Sequence, residues 1–498
     1  GFIGYAAPAS MAGILDSTVV GVANVVSVKI DGAVIQGNAE GLTVRNTNGV
    51  AAGGIGAAVG TEISNVTVEN IKAIESKNDA AGFIGRAGVG NLVSGGGLDI
   101  LGLIKLNSLV SLAPAVPVKA KNVTVSGMPG GFTVYSTGEK EENVNHRAGG
   151  FIAQSGSAQI NNSSVTELKK VSVKDMENGY AGGFIGVSVA NGLADLSDDN
   201  NEGTVSDLIS ISDLITAIPY LMPEYENCDV AYVNDIENYQ VEAACAGGFA
   251  GKLESGTVDN SEKKNIAVKN ICNVHGKYYA GGFAGIATSG GLASSRGGVN
   301  LLGTTINASQ LLQVLPLYIP KITNAGVDSE SGLTVTSDGR IETNAEKAGE
   351  GSEDDLKQFE SNSGSAGGYL GYGSGVQISG SNVNKLRHTT VKEPEDLQQK
   401  DGSSYFDKNS YYAVKAAQYA GGYVGKLDIG NAAAVGNGLG LIDQYVLDLT
   451  DALRILAAVS SSIKTSDVTG DTGGYAVLAN GVNEDGNKIG HAGGYAGS

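Results

Sequence analysis

Apolar and polar residues alternate along this chain over runs of only a few positions. Examples are Val171-Ser172-Val173, ISNVTVENI after Glu62 and NIAVKNI after Lys264, with Gly, Ser and Asn between the runs. A period of two over such short spans predicts half-buried strands, and the intervals between turns are too short for helices of ordinary length. Five longer apolar stretches break this cadence, beginning at Met11, Leu98, Thr204, Asn300 and Leu439. In the last, Ile442, Val446, Leu449, Leu453 and Leu456 recur at helical spacing, with Asp443, Asp448, Asp451 and Arg454 between them. Leu208, Ile211, Ile215 and Ile218 do the same in the third. The pattern predicts amphipathic helices near 11–26, 98–118, 204–223, 300–320 and 439–463. Prolines 114, 117, 219, 223, 316 and 320 stand where such helices would stop.

One hexamer recurs through the strand-like regions: Ala-Gly-Gly-(Phe/Tyr)-apolar-Gly. It reads AGGFIG at Ala181, AGGFAG at Ala246 and Ala280, AGGYLG at Ala366, AGGYVG at Ala420 and AGGYAG at Ala492. Weaker copies are AAGFIG at Ala80, AGGFIA at Ala148, a shortened AGGIG at Ala52 and GFIG at Gly1. With the Gly before the aromatic as marker, the copies fall at Gly1, Gly54, Gly82, Gly150, Gly183, Gly248, Gly282, Gly368, Gly422 and Gly494. Their spacings alternate long and short throughout, and every long interval holds one of the five apolar stretches.

Short strands at a repeating interval, with insertions of any length, predict a stacked solenoid over a propeller. The expectation is a mainly β chain: a right-handed parallel β-helix with amphipathic helical insertions on every second coil, lying along one flank. Stacked strands are about 4.8 Å apart and packed helices about 8–10 Å, so alternate coils give a helix room. The coil pairs run approximately 1–81, 82–182, 183–281, 282–421 and 422–498 of a single elongated segment. Glycines would serve tight corners of positive φ and close coil-to-coil approach, and the aromatic of each hexamer would stack on the next.

Composition narrows the function. The 498 residues include 75 Gly and 9 Pro, without the triplet period of collagen, and the apolar fraction of 41% is too high for a disordered linker. A net charge of −19 argues against nucleic acid, which needs clustered Lys and Arg. No window of 18 apolar residues is free of charge, so no transmembrane segment is expected.

The runs AGGFIAQSGSAQINNSSV from Ala148, GYLGYGSGVQISGSNV from Gly368 and GFAGKLESGTVDNS from Gly248 resemble the GLUG-type repeat of large bacterial surface proteins. Each shows a glycine turn with two apolar residues, a Gly/Ser step, then Ile or Val, a spacer and Asn or Ser. The resemblance covers about half of the chain and departs from the family in placing Phe or Tyr where Leu is common. It implies β-solenoid coils in a secreted, cell-wall-associated or adhesin protein, and no specific activity.

The sequence nominates no catalytic, cofactor-binding or metal-binding residue, and no enzyme. His146, His275, His388 and His491 are scattered, and the acids concentrate in insertions instead of gathering as a glycosidase pair would. GRAGVG at Gly85 matches a nucleotide loop only with relaxed spacing. Asp198 to Gly203 resembles the start of a calcium loop, but Ile209 stands where the bidentate Glu belongs. Cys228 and Cys245 could form a disulfide in an oxidising compartment, or Cys228, Cys245 and Cys272 could join His275 around zinc. Sequons occur at Asn65, Asn122, Asn161, Asn162 and Asn307, and read more simply as turn and strand-edge asparagines. Polar insertions from Gly138, Glu346 and Lys392 read as solvated loops.

The chain opens inside one hexamer and closes just past another, with no cap at either end, so the expectation is a segment of a longer chain or a unit that repeats end to end. The expected role is a structural extracellular surface protein forming a β-solenoid stalk or filament, adhesin-like. Its partners would be neighbouring repeats of the same chain or other copies of itself, and the cell wall or a host surface. Two alternatives stay open: an adhesin binding host glycan or protein through its insertions, and a carbohydrate-active β-helix enzyme.

Overall fold

A computed structural model describes residues 1–7, 27–88, 117–190, 222–289, 319–339, 364–387, 412–429 and 460–498, apart from 142, 143, 264, 473 and 483–487. Immediately after each of the first nine hexamer bends comes one strand of a nine-stranded parallel sheet. Its members are Ile3–Ala6, Ile55–Val59, Ile84–Gly88, Ile152–Gly156, Ile185–Val189, Ala250–Glu254, Ala284–Thr288, Leu370–Ser374 and Val424–Asp428, hydrogen-bonded in chain order. The tenth hexamer reaches the sheet through an isolated bridge from Val424 to Ala496.

A second nine-stranded sheet follows the same order: Val28–Asp31, Thr61–Ser64, Lys119–Lys121, Gln159–Asn161, Glu224–Glu226, Thr257–Asp259, Lys321–Thr323, Gln377–Ser379 and Ser462–Lys464. The remaining pieces of each turn form a third parallel sheet of 22 strands. Its last segment in each turn carries the hexamer alanine, and Ala51, Ala80, Ala148, Ala181, Ala246, Ala280, Ala366, Ala420 and Ala492 pair in sequence. The pairing Gly481–Val482 with Lys488–Ile489 is antiparallel; the other strand pairings are parallel.

The second sheet shows how the pattern sets the register. Each strand reads polar-apolar-polar, and the central residues Ile63, Ala120, Ile160, Tyr225, Val258, Ile322, Ile378 and Ile463 stack in line. From Ile63 to Ile378 they are buried, while their neighbours face out. A one-residue slip would exchange the two sets, so the core fixes the register.

The expectation of a right-handed β-helix with a helix on every second coil is corrected. Among the described residues all regular structure is strand and there is no helix. The architecture is a repetitive parallel β structure, consistent with a β-solenoid-like fold. The segments near 11–26, 98–118, 204–223, 300–320 and 439–463 lie outside the described residues except at their ends, and Ser462–Lys464 at one such end is a strand. Pro223 and Pro320 do not cap helices in the described chain; each directly precedes a strand of the second sheet. There the ladder uses only their carbonyls, accepting from Thr257 N and Gln377 N at 3.0 Å each, so the missing N–H is not needed.

The alternating spacing has a simple origin. On turns two, four, six and eight the chain passes from first to second sheet in one or two residues, as at Gly60 or Ser157-Ala158. On turns one, three, five, seven and nine the long insertions leave from that same corner.

The two expected uses of glycine fall at different places, close approach at the hexamer and positive φ at corners such as Gly60, Gly256 and Gly375. No hexamer glycine among those described has a positive φ. A Cβ on Gly150, Gly248, Gly282, Gly368 or Gly422 would instead fall on the carbonyl oxygen of the corresponding glycine in the next turn. Positive φ occurs at other corners, among them the one after the second sheet, where Asn65, Asn122, Asn162, Asn227 and Asn324 adopt it at 47–54°. In the second hexamer the register pairs Ala52 with Ala81 and Ile55 with Ile84, so Gly53 is the phase glycine and Gly54 occupies the aromatic position. That copy is therefore full length.

Gly248→Ala should lower stability by about 2–3 kcal/mol, through overlap with the Gly282 carbonyl. Ala153→Gly, at the last hexamer position, should cost less than about 1 kcal/mol. Denaturant midpoints of the two variants check this, and equal effects would contradict the close-approach account.

Candidate functional site

The feature repeated in every turn is the hexamer bend. At each bend the amides of the aromatic residue and of its successor both donate to one carbonyl of the next turn. Phe184 N and Ile185 N reach Phe249 O at 2.8 and 2.9 Å, and Tyr369 N and Leu370 N reach Tyr423 O at 2.8 and 3.0 Å. The same pairing runs from Phe2 and Ile3 on Gly54 to Tyr423 and Val424 on Tyr495.

This ladder holds the aromatic rings one above another. Phe83, Phe151, Phe184, Phe249, Phe283, Tyr369, Tyr423 and Tyr495 form a continuous row with centroids 4.6–5.2 Å apart. Beyond Phe151 the rings lie within 10° of parallel. The row stops at Phe83, because the preceding turn has Gly54 in the slot. Such contacts contribute about 0.5–1.5 kcal/mol each beyond area burial.

Three turns carry Tyr, whose hydroxyl, buried in Tyr369 and Tyr423, needs an acceptor. Tyr369 donates to Ala325 O at 2.8 Å, Tyr423 to Ser381 O at 2.6 Å and Tyr495 to Ser466 O at 2.9 Å. All three acceptors follow the positive-φ corner residue Asn324, Gly380 or Thr465, so each hydroxyl ties the bend to the opposite corner of the turn. At that corner the asparagines form their own ladder: Asn162 donates to Asn122 at 2.7 Å, Asn122 to Asn65 at 3.0 Å and Asn65 to Asp31 at 2.9 Å. Three of the sequons are thus corner residues. Asn161 donates to Glu226 at 2.6 Å, and Asn307 lies outside the described residues.

The groups singled out for chemistry do not converge. His146 is buried, with Nδ1 3.1 Å from Lys77 O and Nε2 3.0 Å from Glu139 O. His491 stacks on Tyr419 at 5.4 Å. His388, the Asp198 to Gly203 run and the insertions from Glu346 and Lys392 lie outside the described residues. Gly85 lies in a strand, not a phosphate loop. The insertion from Gly138 is tied down by ion pairs, Lys77 with Glu141 at 2.7 Å and Lys174 with Glu139 at 2.5 Å.

Cys228, Cys245 and Cys272 are buried free thiols, so the Cys228–Cys245 disulfide is not formed. Burial pushes the Cys245 thiol up to about 12. Among the described residues no three His, Cys, Asp or Glu side chains gather as metal ligands, and no helix is long and apolar enough to cross a membrane.

One charged cluster was missed from sequence, because its members lie far apart in the chain. His275 Nε2 is 2.9 Å from Asp338 and Nδ1 is 3.8 Å from Glu242, while Lys170 Nζ reaches Glu242 at 2.7 Å. Tyr239 stacks on the imidazole at 4.7 Å. Burial opposes the imidazolium, but the hydrogen bond to Asp338, the contact with Glu242 and both carboxylate charges outweigh it and raise His275 to about 9. Contact with His275, against the opposing effect of burial and with help from Lys170, holds Glu242 down at about 2. The cluster is a chain of ion pairs across adjacent turns, aligned by the register of Glu242 with His275.

No family model, curated protein or solved structure matches this chain.

Tyr423→Phe should cost about 1 kcal/mol by losing the bond to Ser381, whereas Phe249→Ala, which opens the row, should cost about 3–5 kcal/mol. Chemical denaturation compares them, and a smaller loss for Phe249→Ala would remove the row from its central role. The stability lent by His275, raised above its ordinary 6.5, is complete below pH 6.5 and is lost as pH rises through about 9. Glu242 lends stability above its ordinary 4.5 that is lost as pH falls through about 2. An NMR titration should place the His275 midpoint near 9, and Asp338→Asn should lower it. A midpoint at 6.5 or below would contradict this ion-pair network.

Proposed function

We propose that this is a structural, adhesin-like extracellular surface protein whose stacked turns build a stalk or filament. The carrying observation is the unbroken parallel ladder with its row of eight rings, in which each turn presents to the next the same backbone groups it received. A stack of this kind gains length by adding turns, and no single residue bears the function. The GLUG-type resemblance of the hexamer and its following strand supports a bacterial cell-surface setting.

Nine turns at about 4.8 Å span only about 43 Å. A stalk or fibre therefore requires the ladder to continue, through further repeats of the same chain or through other copies. Cryo imaging of the native material tests this: the expected result is an extended rod with an axial repeat near 4.8 Å. Discrete particles with no axial extension would overturn it.

One observation favours a second reading, an adhesin that binds host glycan or protein through its insertions. Five insertions leave from the same corner, so any binding surface they carry would be presented repeatedly along the stack. Glycan-array binding that disappears on deleting those insertions would support it, and binding that survives their deletion would argue against it.

A further inference from the structure

The third sheet carries a cluster of polar groups that the stacking does not require. Arg387 in the eighth turn donates its backbone N–H to Leu333 O at 3.0 Å and then reaches back across two turns. Its Nη2 contacts Gly332 O at 3.4 Å, Cys272 O at 3.4 Å and Asn273 Oδ1 at 3.2 Å. These are shared, long contacts to neutral oxygens from a single nitrogen. Among the described residues no carboxylate lies within ion-pair distance of this guanidinium. Burial accordingly lowers the Arg387 pKa from its ordinary value. A partly buried guanidinium without a counter-charge is costly unless something neutralises it.

One buried hydroxyl on the neighbouring strand has no partner, Thr334 Oγ1, on a residue only 6% exposed. Thr334 is the register partner of Asn273, so its side chain projects to the face on which Arg387 meets Asn273. It also sits in the seventh turn, between the origin of Arg387 and its contact in the sixth. The Cys272 thiol, beside the Arg387 contact at Cys272 O, donates to Asn234 Oδ1 at 3.0 Å. Asn273 is held in place by its own amide, donating to Asp235 O at 3.3 Å and Asn238 O at 3.0 Å. One unneutralised fork of N–H donors and one idle hydroxyl donor make a complementary set for an oxygen-rich anion.

We propose that this cluster binds a small oxyanion of the phosphate or sulfate class, between the Arg387 guanidinium and the Thr334 hydroxyl. The anion supplies the missing charge and acceptors, and it pins the sixth, seventh and eighth turns together. Free ions and the same group carried as an ester on a polymer share this chemistry.

Equilibrium dialysis of the full chain against labelled inorganic phosphate and sulfate, at fixed ionic strength, tests the site. The expected result is saturable binding of one anion per chain. Arg387→Gln should weaken it by about tenfold or more and Thr334→Val by several-fold, with no change in Lys29→Gln, a variant of an exposed lysine in the first turn. A phosphomonoester that binds while inorganic phosphate does not would identify the esterified source and keep the site. Absence of saturable binding of either form, or binding unaltered in Arg387→Gln, would overturn the proposal. Should Arg387→Gln fail to fold, Thr334→Val, close in shape to the native residue, decides alone: unaltered binding in that variant overturns it.

Discussion

The close approach of one backbone bend to the next is the constraint on which the rest of the structure depends. At the Ala-Gly-Gly step the space in which a Cβ would stand is already taken by a carbonyl of the following turn. That contact is available only to glycine, and it brings the aromatic amide and its successor onto a single acceptor in every turn. Glycine is used here for its missing side chain and not for its conformational freedom, since the bend keeps negative φ. The chain obtains positive φ at separate corners, and at the one after the second sheet asparagine provides both the left-handed conformation and an amide that bonds to its counterpart in the neighbouring turn.

The interior follows from this geometry. Turns held at strand spacing leave the rings 4.6–5.2 Å apart, close enough for parallel stacking, so the bend sets the row and the row fills the core. The later turns exchange Phe for Tyr where a corner carbonyl can accept the hydroxyl, which converts a purely apolar contact into a tie across the turn. Tyr225 shows the same logic from the second sheet: its hydroxyl lies 2.7 Å from both Ser155 and Ser188, small polar residues that leave room for the larger ring.

The repeat was legible because its determinants are local: six adjacent residues carry the glycine contact, the ring and the first apolar position of the next strand. The strand cadence and the stacking of Phe and Tyr could be read for the same reason. The shift of phase at Gly53-Gly54 could not, since two adjacent glycines look alike until register assigns one of them to the ring's place. Helical spacing in the five apolar stretches led to an expectation that the described strands do not carry. The His275 network and the Arg387 cluster were invisible for a different reason. Each joins residues from turns tens of positions apart, and insertions of unequal length remove any fixed spacing between them.

Insertion placement obeys the same axial limit. A chain leaving a corner and returning to it sets two crossings side by side, which at strand spacing already need about 9.6 Å, while consecutive turns are only about 4.8 Å apart. Long insertions between the first and second sheets therefore occupy turns one, three, five, seven and nine, and never two in succession. The third sheet provides an independent case. Between its middle and last segments, the breaks of more than five residues fall in turns three, seven and nine. The seventh and eighth turns both carry large breaks within this sheet, but at different places, after Ser337 in one and after Leu386 in the other. Where neighbours must both expand, they use different corners, so the ladder sets the rhythm of the insertions as well as that of the core.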